Sequence, residues 1–429
     1  MRGCPLVSFA GVLLTAMAAM AAESELREQL KDDQIAPHWL YCDLPEAMAQ
    51  AKASGKPILV VLRCVPCPPG RTLDAAVMKP NAELEKLEKQ FVCVRIVHTK
   101  GLDLSLFDYD YDLSWVAMFL EPDGTVLGRY GTRVRSGPGS DSHISVAGFR
   151  QSAERALELH KNYPANKGQL AQKRSGKKPE YAVPEEIPGL DERAAGSVVK
   201  KENCIHCHMV REFALRAKWE AGKLTAGDLK PYPMPERIGL TMDIDHGLLV
   251  KSVAEGSAAE EAGLEIGDEL VTLGGQPLIS LADIQWVLHN AADEATIPVR
   301  LNRDGEVLDK KFEVGGNWKQ SDIAWRASSW YGLRQGLKTE PLSAADKRSR
   351  GIDVDSLALA VKGMFGKSAG LGRYGLKQND VIVAVDGQTE AMSESEFLIW
   401  LRLNHGPRDS VKFTILHGDD RRELTIPMW

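Results

Sequence analysis

Two stretches of the chain hold residue types suited to redox or metal chemistry: Cys64-Val65-Pro66-Cys67 and Cys204-Ile205-His206-Cys207-His208. Thiols three residues apart lie close enough to close a disulfide, share a metal or bind one cofactor at two points. In the first stretch the chemistry is proximity and acidity. A thiol exposed at a helix N-terminus is held as thiolate by the helix dipole, and a second thiol one turn on resolves the mixed disulfide. This logic makes Cys64 the nucleophile and Cys67 the resolving thiol, with Arg63 adding positive charge beside them. A metal with His98 as third ligand, or a structural disulfide, are the other readings of the same residues.

In the second stretch a histidine follows the second cysteine at once. That spacing suits covalent haem: each thiol adds to one vinyl group, and the next side chain lies under the iron as axial ligand. Cys204, Cys207 and His208 are therefore expected to carry a haem c, with His208 the iron ligand and Met234 the best-placed distal ligand. Zinc or a plain thiol pair would use the same residues.

The elements that must position these residues follow from composition and periodicity. A chain of 429 residues makes two to four domains, and 44% hydrophobic residues suffice for several cores. A net charge of −6 gives nucleic-acid binding no support. Residues 1–22 are expected to be a secretory signal: Arg2, an apolar run from Pro5, and Ala19-Met20-Ala21 as a cleavage site, with an uncleaved anchor as the alternative. Cys4 lies too close to the start to be a lipoprotein cysteine, and no later stretch is apolar enough to cross a bilayer. The expected location is periplasmic or otherwise extracytoplasmic. Few cysteines remain beyond the signal, so two close pairs among them point to chemistry rather than to a disulfide framework.

Leu44 to Ala53 has the apolar period of a helix, and Ile58 to Leu62 is an unbroken apolar strand, as in the centre of a mostly parallel sheet. Helices to about Val77 and over 83–89, a strand over 91–97, a hairpin around Glu121-Pro122-Asp123-Gly124 and a helix over 144–160 follow. Cys93 lies mid-strand as core, and Cys42 has no assigned role. With Cys64 and Cys67 directly after the buried strand, residues 38–161 resemble the thioredoxin superfamily, which implies an α/β sandwich and dithiol exchange. Two positions depart from that family: Arg63 replaces its tryptophan, and Val116 stands where it has a cis-proline facing the motif.

Residues 162–192, rich in Lys, Pro and Gly, are expected to be a linker, with Lys173 to Lys178 solvated. Residues 193–235 form the CxxCH segment, with a helix expected over 193–202. Gly196 resembles the helix glycine of c-type cytochromes, although the usual aromatic is Lys200 and the segment is too short for a full cytochrome fold.

From Arg237-Ile238-Gly239-Leu240 through Gly263-Leu264 and Ile266-Gly267-Asp268 to about residue 316, the chain resembles a bacterial PDZ domain of exported proteases. The resemblance implies that amides of Arg237, Ile238, Gly239 and Leu240 meet a peptide carboxylate. The peptide would add a strand beside 240–242, and Leu281, Ile284 and Leu288 of a groove helix would line its pocket. Gly375-Leu376 with Asn379-Asp380, and Asp386-Gly387-Gln388, repeat the pattern, so 330–429 is expected to be a second, less regular PDZ-like unit, with Gly332-Leu333 a weak equivalent of the loop.

The expected fold class is multidomain α/β plus β-rich: a thioredoxin-like sandwich followed by two PDZ-like domains. That order resembles a bacterial family of thioredoxin-plus-PDZ proteins, some with selenocysteine at the redox motif. Two functions fit. One is an exported redox protein that exchanges disulfides, relays electrons through a haem and recruits protein or peptide partners, a redox partner among them. The other is a non-enzymatic PDZ adaptor with an inert thioredoxin-like platform. No nucleotide loop and no protease triad is present.

Overall fold

The computed structural model describes residues 24–79, 81–135, 139–193, 199–332, 337–364, 371–418 and 420–428. The expected signal segment, Gly196 and Leu333 lie outside the described residues.

The N-terminal unit is built on a sheet of order β1-β3-β2-β4-β5. Its strands are β1 (Trp39–Tyr41), β2 (Ile58–Arg63), β3 (Val92–Ile96), β4 (Trp115–Leu120) and β5 (Val126–Tyr130). β3 runs parallel to β1 and β2, whereas β4 returns antiparallel to β2 with Leu62 opposite Val116. Its helices are α1 (Leu44–Ser54), α2 (Arg71–Met78), α3 (Ala82–Glu88) and α4 (Val146–Lys161). Side chains alternate along β2. Leu59 and Val61 join Leu73, Val77 and Phe149 in one core, while Ile58, Val60 and Leu62 join Ala47 and Ala51 in the other. Both faces are therefore covered, which is why the strand is apolar throughout.

Four side chains from later in the chain complete these cores: Leu170 and Ile279 on one face, Cys207 and Trp325 on the other. The units are thus not beads on a string. Residues expected as linker take part in the joint. After α5 (Lys167–Leu170) and the turn Ala171–Lys173, Leu170, Lys173 and Leu190 are fully buried. Lys173, expected in solvent, instead places its amine 2.6 Å from Asp283, inside the protein. A charge is tolerated there only because its counter-charge is buried with it.

The helix expected over 193–202 is absent where it is described. Residues 194–198 lie outside the described part; Arg193 is in a turn, residues 199–200 are irregular, and a 3-10 turn follows over Lys201–Asn203. The helix begins later, as α6 (Cys207–Glu220). α6 is a strut. Cys207 at its start belongs to the N-terminal core, and Trp219 at its end belongs to the core of the C-terminal sheet.

The middle unit holds β6 (Leu240–Met242), β7 (Val250–Val253), α7 (Ala258–Glu261), β8 (Glu269–Leu273), β9 (Gln276–Pro277), α8 (Leu281–Asn290), β10 (Ala295–Arg303) and β11 (Glu306–Val314). β6 and β7 form a two-stranded ribbon beside the sheet β11-β10-β8-β9. α9 (Ala327–Gly332) then leads to the C-terminal unit. Its strands are β12 (Leu337–Pro341), β13 (Leu359–Met364), β14 (Val381–Val385), β15 (Ser410–His417) and β16 (Asp420–Pro427). They lie in that order in one sheet, with α10 (Ala344–Ser349) and α11 (Glu394–Asn404). Each unit ends in the same way, with a helix followed by a hairpin: α8 with β10 and β11 in the middle unit, α11 with β15 and β16 here. No helix among the described residues is long and apolar enough to cross a membrane.

Candidate functional site

β2 delivers Cys64 to the end of the central strand, where its amide donates to Ser114 O at 2.9 Å. A disulfide joins Cys64 to Cys67. The pair does not sit at a helix N-terminus as expected. Pro66, Pro68 and Pro69 hold the chain in turns, and α2 starts only at Arg71. Gly70 closes this loop with φ +76; a Cβ there would meet Trp115 Cβ at 2.7 Å. The two sulfurs therefore lie outside the first turn of the helix whose dipole was expected to act on them.

Arg63 is also used differently from the expectation. Its guanidinium is buried and donates to Pro69 O (2.6 Å), Cys67 O (2.8 Å) and Ser114 O (3.0 Å). It clamps the loop by its carbonyls. Asp74 on α2 holds the clamp, 3.3 Å from Arg63 Nε, and also accepts from Arg95 (2.7 Å) and Trp115 (3.0 Å). Sequence reading missed this hub. The signal was present as two arginines inside apolar strands, which require buried partners.

The second cysteine motif docks on the first. Ile205 O accepts from Thr99 N (2.9 Å) and Oγ1 (3.1 Å), and Cys204 Sγ lies 3.7 Å from Val97 O. This fastening brings His206 Nδ1 to 3.8 Å from Cys64 Sγ. Cys64 is only 3% exposed beneath it, whereas Cys67 is half-buried. Cys204 and Cys207 are free thiols, both buried. Burial pushes the Cys204 thiol up to about 12. Burial also raises Cys207, opposed by the Tyr109 hydroxyl and the Arg63 charge. His206, pushed down to about 4 by burial and then by His208, is neutral at physiological pH.

As placed, these residues do not fit a covalent haem. Attachment needs both sulfurs and the histidine on one open face large enough for the macrocycle. Cys207 instead points into the N-terminal core, Cys204 points at the Val97 carbonyl, and His208 lies 3.9 Å from Glu212 of its own helix. A nearby cavity of about 420 Å³ is lined by Tyr109, Tyr111, Val210 and Arg211, but by neither cysteine nor His208. Met234 accepts from Gln285 Nε2 at 3.0 Å, in a different part of the molecule. Among the described residues, no three His, Cys, Asp or Glu side chains converge as a metal site, so His98 gains no co-ligands.

In the middle unit Gly239 adopts φ +92 at the end of the turn Pro235–Ile238, and Leu240 starts β6. Arg237 turns outward and donates to Trp318 O and Asn317 O, each at 3.1 Å. The Gly239 amide donates to Glu236 O at 3.1 Å. Leu281, Ile284 and Leu288 lie in the unit's own core.

Comparison with known proteins assigns the two bodies. Residues 38–122 match a family model described as thioredoxin-like, and residues 236–314 match one described as PDZ domain. The chain carries a thioredoxin-like domain and a PDZ domain. It is 29% identical over 165 residues to a probable periplasmic serine endoprotease DegP-like of Pseudomonas savastanoi, covering 38% of this chain and 33% of the relative. It is 26% identical over 147 residues to the periplasmic pH-dependent serine endoprotease DegQ of Escherichia coli, covering 34% of this chain and 29% of the relative. The chain thus spans about a third of these relatives. Their compartment agrees with the extracytoplasmic location expected from the N-terminal segment. Among solved structures, the serine endoprotease from Yersinia pestis matches at 27% identity with TM-score 0.17, covering 18% of this chain and 28% of that one.

The thioredoxin-like and PDZ domains meet along α8. The outer edge of β5 faces this helix: Arg129 N donates to Asp283 Oδ1 at 3.2 Å, Ser280 Oγ donates to Arg129 O, and Thr132 Oγ1 bonds Gln285. Arg129 also lies over the Trp286 ring at 4.5 Å. From Leu281 to Leu288 every residue of α8 is buried. The helix expected to line an open groove is therefore covered on its outer side by the thioredoxin-like domain.

Proposed function

We propose that this is an extracytoplasmic thiol–disulfide exchange protein whose PDZ domain recruits the proteins it acts on. The observation that carries the reading is the Cys64–Cys67 disulfide at the end of the central strand of a thioredoxin-like domain, with Cys67 partly open to solvent. Exchange proceeds by thiolate attack on a sulfur, so it begins at the sulfur a partner can reach. Burial favours Cys67 for that contact, not Cys64 as expected from the motif, because Cys64 is covered while Cys67 is half-buried, and the Arg63 clamp keeps the loop in one shape through the cycle. The PDZ part of the reading is capture of a peptide C-terminus along β6, whose only partner strand among the described residues is β7. This is the redox reading in preference to the adaptor, because the motif closes a disulfide in a position a partner can approach.

The test is equilibration of the full chain in glutathione buffers, with alkylation and peptide mapping at each ratio. The expected outcome is a two-electron transition confined to Cys64 and Cys67 and lost in Cys67→Ser. A pair that stays oxidised at every ratio would make the bond structural and return the protein to the adaptor class.

A further inference from the structure

We propose that Cys204 and Cys207 are a second dithiol, which exchanges with the Cys64–Cys67 disulfide inside the molecule. The inference rests on the redox reading above and adds an internal donor to it. One pair is closed while the other is free, so the same structure holds an oxidant and a reductant of matching stoichiometry. The two pairs are in contact through His206, 3.8 Å from Cys64 Sγ and adjacent in sequence to Cys207. Cys207 shares a core cluster with Leu62 and Val116, the pair one residue in from the end of β2, the strand that leads into Cys64. Cys64 is shielded from solvent by this segment, and Cys67 is not. The two sulfurs of one disulfide thus address different clients: Cys67 the outside, Cys64 the inner pair.

The step balances within the chain. The Cys207 thiol loses its proton as its sulfur attacks Cys64 Sγ, and the expelled Cys67 sulfur takes a proton up. The Cys204 thiol then loses its proton as its sulfur attacks Cys207 Sγ, and the expelled Cys64 sulfur takes a proton up. Two electrons and two protons leave the inner pair, a Cys204–Cys207 bond forms, and Cys64 and Cys67 become thiols.

The test uses the full chain carrying Cys67→Ser and Cys204→Ser, which strands the intermediate. After equilibration with oxidised glutathione, the expected dominant product in non-reducing peptide maps is a Cys64–Cys207 link. Cys64 and Cys207 found only as separate glutathione adducts, while wild-type Cys64–Cys67 exchanges normally, would overturn the internal relay and leave the proposed function standing. Wild-type Cys64–Cys67 that never exchanges would overturn both. Should the double variant not fold, the unsubstituted chain decides. Reduced protein given one equivalent of oxidant should distribute its disulfide between 64–67 and 204–207. A 204–207 bond that forms at no glutathione ratio refutes the proposal.

Discussion

Cys64 and Cys67 share one bond, but their surroundings differ. Cys64 lies under His206, and Cys67 reaches the surface among prolines. After reduction, Cys67 is expected to react with an alkylating reagent at least several-fold faster than Cys64. His206→Ala should raise the Cys64 rate and leave Cys67 unchanged. Rates read by mass spectrometry that are equal in both proteins would show that His206 does not cover the sulfur. A second residue ties pH to folding. His289 is half-buried at the end of α8, stacks on Tyr232 at 4.2 Å and accepts the Tyr232 amide on Nδ1 at 3.3 Å. Burial, aided by Arg211, pushes its pKa down to about 3. The unfolded chain therefore binds a proton between the ordinary histidine value and about 3 that the folded chain refuses. Stability from this site is complete above roughly pH 6.5 and falls as pH drops toward 3. His289→Gln should flatten that part of a pH series of urea-unfolding midpoints.

At the scale of elements, β2, α1, the hairpin and α8 were legible because each has a clean apolar period and turn residues at its ends. α1 runs from the Asp43 cap, which accepts from Glu46 N, to Gly55 at φ +70. The start of α2 was not legible, because a CxxC directly after a strand suggests a helix at once, and three prolines in six residues postpone it. The place of the Cys204–His208 segment was hidden for another reason. Its meaning depends on docking at Thr99 and Val97, about a hundred residues away in sequence, and local spacing carries no trace of that. The loop at Gly239 was found from its pattern, and the structure changes what its substitution should do. A Cβ there would run into Ser257, the cap of α7, and φ is +92. Gly239→Trp is therefore expected not only to block peptide approach but also to destabilise the PDZ domain, by about 1–3 kcal/mol or more. Thermal melts of the chain beside peptide titrations separate the two effects.

Across the whole molecule, charges seal the joints. Asp283 of α8 receives Lys173 at 2.6 Å and Arg129 at 3.8 Å, all three side chains buried. Arg326 reaches Asp110 at 2.7 Å and Asp112 at 3.3 Å, tying the approach to α9 to the thioredoxin-like domain. Removing Lys173 takes away the nearer counter-charge of Asp283 and leaves it with Arg129 at 3.8 Å, which costs up to about 3–5 kcal/mol. Lys173→Met should lower stability by that order in urea unfolding, and Lys173→Met with Asp283→Leu should recover part of it. Recovery of nothing would mean that Arg129, not Lys173, is the partner that matters.

The cover that α8 lays over β5 has a consequence for solubility. β5 is the last strand of its sheet and is buried along its whole length. Bared, such an edge offers unpaired amides and carbonyls to any neighbouring chain, and native proteins guard against that. Here the guard is another domain. A fragment cut after α4 should therefore pair edge to edge and scatter light increasingly with concentration, where the full chain does not. On this view the PDZ domain also chaperones the domain that precedes it.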